Sequence, residues 1–182
     1  MKEYTDTELV QLFLDEDTRN YAFELIVKKY QEKLYWHIRK MMISHDDTND
    51  VLQNTMINAY NGLKNFREEA SLFTWLYRIA TNEALSAIKR KKRGLFLNLD
   101  DVRSQLERSL TEDPYVNGDD IQIKLQKAIL ALPEKQRLVF NMKYFDEMKY
   151  EDISEILKTS VGALKASFHH AVKKIEKYFE ED

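Results

Sequence analysis

Apolar residues recur through most of this chain at steps of three and four. Phe23, Ile26, Val27, Tyr30, Leu34, Ile38, Met41 and Met42 are separated by 3, 1, 3, 4, 4, 3 and 1 positions. That spacing fits a period of 3.6 and not of 2, and predicts a long amphipathic helix. A shorter helix precedes it. Thr5-x-x-Glu8 forms a capping box, in which the threonine oxygen and the glutamate carboxylate satisfy free backbone donors at a helix start. Leu9, Leu12 and Phe13 give that helix its apolar face. Ser44 to Asp47 form a polar break with N-cap candidates. A third helix is expected to run from there to about Leu63, with Val51, Leu52, Thr55, Met56, Ala59, Tyr60 and Leu63 on one side. Asn65 to Ala70 make a polar connection. Ser71 is placed to cap a fourth helix, on which Leu72, Leu76, Ile79, Ala80, Ala87 and Ile88 repeat at helical spacing.

Residues 94–120 break the pattern. They hold two of the 4 glycines, one of the 2 prolines and seven acids, and read as a flexible linker. A short helix near Val102 to Leu110 is expected inside it. The periodicity resumes at Asp120. Ile121, Leu125, Ala128, Ile129 and Leu132 mark one helix; Pro133 ends it and suits the first turn of the next. That next helix uses Leu138, Val139, Met142 and Phe145. A turn at Asp146 and Glu147 leads to a short helix with Ile153, Ile156 and Leu157. Lys158 to Ser160 form a tight connection, and a last helix carries Leu164, Phe168, Ala171, Val172, Ile175 and Phe179. The expected fold is all-α: two small helical domains, residues 1–93 and 121–182, joined by the linker 94–120.

Composition narrows the class. The 182 residues are 43% hydrophobic, with 4 Gly, 2 Pro and 0 Cys. So few helix breakers argue against a barrel or sandwich. The absence of cysteine excludes disulfides, thiolate zinc sites and cysteine nucleophiles. No run of 18 apolar residues occurs, and the N-terminus MKEYTDTELV has no apolar signal core. A cytoplasmic protein without membrane insertion is expected. Net charge is −3, but it is segregated. Residues 1–88 carry 10 basic and 14 acidic residues, Lys89 to Arg93 are five consecutive cations, and residues 94–120 carry 2 basic against 7 acidic. Such segregation points to more than one partner.

The short helix, the three-residue turn and the last helix have the proportions of a helix-turn-helix, whose second helix enters a major groove. That helix carries Lys165, Ser167, His169, His170, Lys173, Lys174 and Lys177. Lysine reaches phosphates or guanine, and Ser and His bond to base edges or phosphates. A helical hairpin with a solvated basic face is the plainer alternative. On the fourth helix Phe73, Trp75 and Tyr77 sit beside Arg78, Asn82 and the Lys89–Arg93 run. Rings beside cations suit single-stranded nucleic acid, whose bases stack while its phosphates are followed; a core stripe with a charged end is the plainer reading there. Asp46, Asp47 and Asp50 are N-caps and dipole complements by default, with a docking surface as the sharper reading. Enzyme signals are poor. His169 and His170 point about 100° apart on a helix and cannot share a metal as an i, i+4 pair does. There is no Gly-rich phosphate loop, no G-x-S-x-G and no H-E-x-x-H. No metal, cofactor or small-molecule substrate is expected.

Asp50-Val-Leu-Gln-Asn-Thr-Met-Ile-Asn-Ala-Tyr60, Asn65-Phe-Arg67 and Phe73-Thr-Trp-Leu-Tyr-Arg-Ile-Ala-Thr-Asn82 resemble region two of the extracytoplasmic-function sigma factors. Ala131 to Phe140, Tyr150 to Leu157 and Ser160-Val-Gly-Ala-Leu-Lys165 resemble region four of the same family. The resemblance covers nearly the whole chain, in the right order. It implies a non-enzymatic protein that carries promoter specificity to bacterial core RNA polymerase, with an anti-sigma factor as a further partner. Asp47, Asp50, Gln53, Asn54 and Ile57 would dock on core polymerase. Asn65, Phe66, Arg67, Trp75, Arg78, Asn82, Lys89 and Arg90 would capture and open the minus-ten element. Ser160, Gly162, Lys165, Ser167, His169, His170 and Lys173 would read the minus-thirty-five element as duplex. Four positions depart from the family: Asn54 stands where an acid is usual, Ala163 where Thr is usual, and Ser167 and His170 where Arg is common. The alternative from the residues alone is a stand-alone helix-turn-helix regulator, which leaves the first body without a task.

Overall fold

The computed structural model describes residues 4–42, 44–95 and 120–180. All regular structure among the described residues is helical, as the periodicity predicts. The helices are α1 (Asp6–Leu14), α2 (Arg19–Arg39), α3 (His45–Leu63), α4 (Leu72–Leu95), α5 (Asp120–Leu130), α6 (Glu134–Tyr144), α7 (Tyr150–Leu157) and α8 (Val161–Glu180). The chain divides into two compact units, Met1–Ala87 and Ile88–Asp182. The expected linker falls almost wholly outside the described residues, and the short helix expected near Val102 to Leu110 lies entirely outside them.

In the first unit α1, α3 and α4 start where the sequence supplies a cap, whereas Thr18 before α2 makes no side-chain cap bond. The Thr5 hydroxyl accepts from the Glu8 N–H at 3.2 Å, and the Glu8 carboxylate accepts from the Thr5 N–H at 2.8 Å. Ser44 caps α3 by accepting from the Asp47 N–H at 3.1 Å, and Ser71 caps α4 by accepting from the Thr74 N–H at 3.1 Å. The helix α2 packs against both α1 and α3. The core comprises Leu9, Phe13, Ile26, Leu34, Ile38, Val51, Leu63, Leu72 and Leu76. Full burial of each such side chain contributes about 1.5–3 kcal/mol. Thr48, Thr55 and Thr81 are buried too, and each hydroxyl donates to the carbonyl four residues back. Those bonds remove the desolvation penalty of a buried hydroxyl.

In the second unit α5, α6 and α7 all pack on α8. Ala128, Ile129, Leu132, Phe140, Ala171 and Ile175 form one buried cluster, closed by Leu125, Phe168 and Val172. Pro133 stands one residue earlier than expected, at the N-cap of α6 with φ −54° and ψ 142°, where its missing N–H costs nothing. Glu147 turns the chain between α6 and α7 with φ 51°, and Lys158 ends α7 with φ 52°.

Candidate nucleic-acid interface

Three surfaces gather the residues singled out by sequence. The first is on α3. Asp50, Gln53, Asn54 and Ile57 are exposed at i, i+3, i+4 and i+7, so they share one helix face. Ile57 is 52% exposed, an apolar side chain in the middle of a polar face. Asp47 is different. It is half-buried, and its carboxylate accepts from the Ser44 hydroxyl at 2.7 Å while its N–H donates back to that oxygen. That reciprocal pair makes Asp47 part of the helix cap.

The second surface is the corner between α3 and α4. Asn65 and Arg67 are exposed, and Phe66 lies half-buried with its ring 5.2 Å from that of Trp75. Trp75 also rests on the last turn of α3: a Cβ added at Gly62 would stand 3.1 Å from Trp75 Cζ2. Gly62 therefore opens the space in which the indole sits. Further along α4, Arg78 is half-buried and Asn82 exposed; Lys89 and Arg90 are exposed on later turns of the same helix. Asn58 donates to the Glu83 carboxylate at 2.9 Å and ties α3 to α4.

Two of the three α4 aromatics follow the plainer reading and belong to the core. Tyr77 is 3% exposed, and Phe73 is half-buried with its ring 4.3 Å from Tyr77 and 6.5 Å from Tyr30. The apolar stripe of α4 faces α2 and takes both rings with it. Of the three, only Trp75 lies at the corner where a base could approach.

The third surface is α7, its turn and α8. Ser160 caps α8 by accepting from the Ala163 N–H at 3.3 Å. Ser160, Gly162, Lys165, His169, His170 and Lys173 are exposed and Ser167 is half-buried. A Cβ added at Gly162 would meet nothing within 4 Å, so the chain's own packing does not require a glycine there. Lys165 Nζ lies 5.7 Å from the ring centre of Tyr150, and Lys143 Nζ lies 5.0 Å from it. These are cation–π contacts that seat the lysine stems on α7. Burial raises the Tyr150 phenol above its ordinary range. The His169 and His170 ring centres are 6.1 Å apart on adjacent positions.

Among the described residues no group of three or more His, Asp or Glu side chains could hold a metal ion, and no helix is long and apolar enough to cross a membrane. One large ring that lies at the surface outside the sequence-predicted sites is Trp36. It is 40% exposed on α2, off that helix's apolar stripe, between Lys33 and Lys40. A large ring on a polar face was its only signal.

Known proteins carry the same pattern. Residues 26–94 match the family model Sigma-70 region 2, and residues 122–175 match Sigma-70, region 4. The ECF RNA polymerase sigma factor SigW of Bacillus subtilis is 33% identical over 165 residues, covering 86% of this chain and 88% of its own. The RNA polymerase sigma-H factor of Pseudomonas aeruginosa is 30% identical over 183 residues, covering 94% and 92%. Among solved structures, CnrH in complex with the cytosolic domain of CnrY shares the fold at a TM-score of 0.71 and 20% identity, covering 97% of this chain and 98% of that one. The sigma factor RpoE bound to the anti-sigma factor NepR, from Bartonella quintana, superposes at a TM-score of 0.68 and 20% identity, covering 88% and 98%.

Proposed function

This chain belongs to the extracytoplasmic-function sigma factors of RNA polymerase, and from that premise we propose how its surfaces divide the work of promoter-specific initiation. Residues 1–93 act as region two, 94–120 as an acidic linker and 121–182 as region four. The exposed face of α3 (Asp50, Gln53, Asn54 and Ile57), with Asp47 at its capped start, docks on core polymerase. Asn65, Phe66 and Arg67, with Trp75 behind them, hold a base drawn from the minus-ten element. Arg78 and Asn82 read the opened strand, and Lys89 and Arg90 follow its phosphates. Ser160, Gly162, Lys165, Ser167, His169, His170 and Lys173 present α8 to the minus-thirty-five duplex.

The observation that carries this reading is positional. The region 2 and region 4 matches stand in that order on the chain, and the second includes the α7–α8 helix-turn-helix. A net charge of −3 disfavours nonspecific binding to DNA by the free protein. Two weak sites on one chain gain instead through effective concentration once polymerase aligns them. The work is binding and strand separation, so no catalytic residue, cofactor or small-molecule substrate is required. Polymerase and DNA as partners place the protein in the cytoplasm. The likeness in fold to a sigma factor held by NepR supports an inhibitory protein partner of the anti-sigma kind.

Run-off transcription tests the reading. Core polymerase from the source cell is incubated with fragmented source DNA, with and without this protein. Discrete new transcripts are expected, and their upstream sequences define the promoter. Core binding without new transcripts would leave a sequestering decoy. No core binding would leave a stand-alone DNA-binding regulator.

A further inference from the structure

The 4 histidines of this chain fall into two kinds. In the first unit His37 is buried against Thr81, and His45 Nδ1 meets the Tyr35 hydroxyl. His169 and His170 are adjacent and exposed on α8, the helix assigned above to duplex DNA. Neighbouring helix positions turn about 100° apart. Leu164, Ala171 and Ile175 are buried and mark the opposite side of α8. The two rings therefore diverge to either side of the middle of its open face, with their centres 6.1 Å apart.

The helix surrounds both rings with cations. Lys165 and Lys173 stand four residues to either side of His169, and Lys173 and Lys174 stand three and four residues after His170. Positions three and four apart share a helix face, and no acid occupies any of them here. The first acid on α8 is Glu176, six residues past His170 and about 9 Å further along the axis. The helices α5, α6 and α7 pack on α8. They bring Lys124 and Lys127 from α5, Glu134, Lys135, Arg137 and Lys143 from α6, and Glu151, Asp152 and Glu155 from α7. Among the described residues none of these carboxylates forms an ion pair with either histidine. Lys143 and Lys165 are both drawn onto the Tyr150 ring. The protein thus gives neither imidazole an anion that would hold a second proton on it. DNA phosphates would supply one.

We propose that His169 and His170 make recognition of the minus-thirty-five duplex depend on pH: both rings are charged when DNA is bound, and binding strengthens as pH falls from 8 to 6. Histidine changes charge between pH 5 and 8. A neutral imidazole offers one donor and one acceptor, whereas the charged ring offers two donors. Phosphate oxygens and the O6 and N7 of guanine accept only. The sign follows from linkage. The bound state holds protons that the free state lacks, so affinity rises as pH falls and levels off once the free rings are charged. Arginine at either place would be charged throughout this range. The proposal rests on the reading of α8 as the duplex-reading helix, and adds to it a response to acidity.

The test uses holoenzyme assembled from core polymerase and the full chain, on a promoter recovered by run-off transcription. The Kd of the closed complex is measured from pH 6 to pH 8 at constant ionic strength. Wild type is compared with the double variant His169→Gln, His170→Gln, so that any pH response of core cancels. A tenfold rise in the proton affinity of each ring on binding, from an ordinary histidine value of about 6.5, gives wild type about 40-fold more tightening than the double variant between pH 8 and pH 6. Each single variant should keep about 6-fold. The wild-type salt slope should be steeper at pH 6 than at pH 8 by up to about 1.8, at roughly 0.9 per phosphate neutralised. The double variant His169→Arg, His170→Arg should bind at pH 8 as tightly as wild type at pH 6. Both rings are exposed, so thermal unfolding midpoints should match wild type. The same pH profile in wild type and the glutamine pair would overturn the proposal and leave the reading of α8 standing. A wild-type response that survives scrambling of the minus-thirty-five element would overturn it as well. If wild type yields no transcript with core, the parent reading fails and the proposal fails with it.

Discussion

His37 and Thr81 meet in the interior of the first unit, with Nε2 and Oγ1 2.9 Å apart and both residues almost fully buried. The Thr81 hydroxyl has one proton and donates it to the Tyr77 carbonyl at 2.7 Å. Its oxygen must therefore accept from His37, which places a proton on Nε2. The His37 ring also lies 4.8 Å from that of Tyr77. This cluster sets the rotation of α4 against α2, and hence which α4 residues reach the surface. Thr81→Val keeps the shape and removes the acceptor. It should cost about 1–3 kcal/mol, the penalty of a buried donor left unsatisfied. Thr81→Ser should cost less. Urea denaturation of both variants gives the comparison, and a loss in Thr81→Ser with none in Thr81→Val would make the methyl, not the hydroxyl, the important group.

Asp6 joins α1 to α2 in a different way. Its carboxylate accepts from the Tyr30 hydroxyl at 2.7 Å and pairs with Lys29 at 2.8 Å. Burial, then the hydrogen bond to Asp6, then the Asp6 charge raise the Tyr30 phenol well above its ordinary value. The sign follows directly. The unfolded chain releases this proton near pH 10 and the folded chain only at higher pH. The contribution to stability is fully present below about pH 10 and is lost as pH rises towards the folded value. Tyr30→Phe should lose about 1 kcal/mol at neutral pH, and its stability should fall less steeply than wild type above pH 10. Parallel declines in a denaturant series from pH 9 to 11 would place the alkaline sensitivity in other tyrosines.

Gly62 makes a prediction about the corner between α3 and α4. Space for a Cβ there is limited by Trp75 Cζ2 at 3.1 Å, and Trp75 is backed by Phe66. Gly62→Leu should force the indole off Phe66 and destabilise the unit by about 1–3 kcal/mol, as overpacking does. Gly62→Ala adds helix propensity of about 0.8–1 kcal/mol against a smaller push, and should be nearly neutral. Thermal unfolding ranks the two, and tryptophan emission in a Trp36→Phe background reports the Trp75 indole. A stable Gly62→Leu variant with unchanged emission would show that Trp75 has room to yield.

The helices were legible in the sequence because local chemistry specifies them. Thr5, Ser44 and Ser71 cap where their side chains can reach a free N–H, and the 3.6-residue stripe of α2 needs no tertiary information. The aromatics of α4 were less legible. Phe73 and Tyr77 stand close to Arg78 in the sequence, yet they face α2 because burial of a ring outweighs its proximity to charge along the chain. The direction of α2 against α4 was not legible at all: positions 30, 33 and 37 meet 73, 77 and 81 in rising order, so the two helices are parallel, and helix direction is a property of packing rather than of any local pattern. Asp47 shows the reverse case: its capping role follows from Ser44 three residues before it, and that role takes up part of its carboxylate.

Asn82 carries the sharpest functional prediction. It is exposed on α4, one position beyond the buried Thr81, so the packing that orients it does not involve its own side chain. Asn82→Ala should therefore leave unfolding by urea within about 0.5 kcal/mol of wild type, the usual range for surface substitutions. An amide that bonds to a base edge contributes about 1–3 kcal/mol of discrimination, so promoter opening should fall about 5- to 150-fold. Core binding, which the reading assigns to the opposite helix α3, should be unaffected. Permanganate reactivity of the opened bases and a core-binding titration separate the two effects. The loss should also depend on sequence: promoters altered at the base read by Asn82 should show little difference between wild type and variant. A uniform loss across all promoters would make Asn82 a contact to the backbone, and an equal loss of core affinity would remove it from the strand-reading surface altogether.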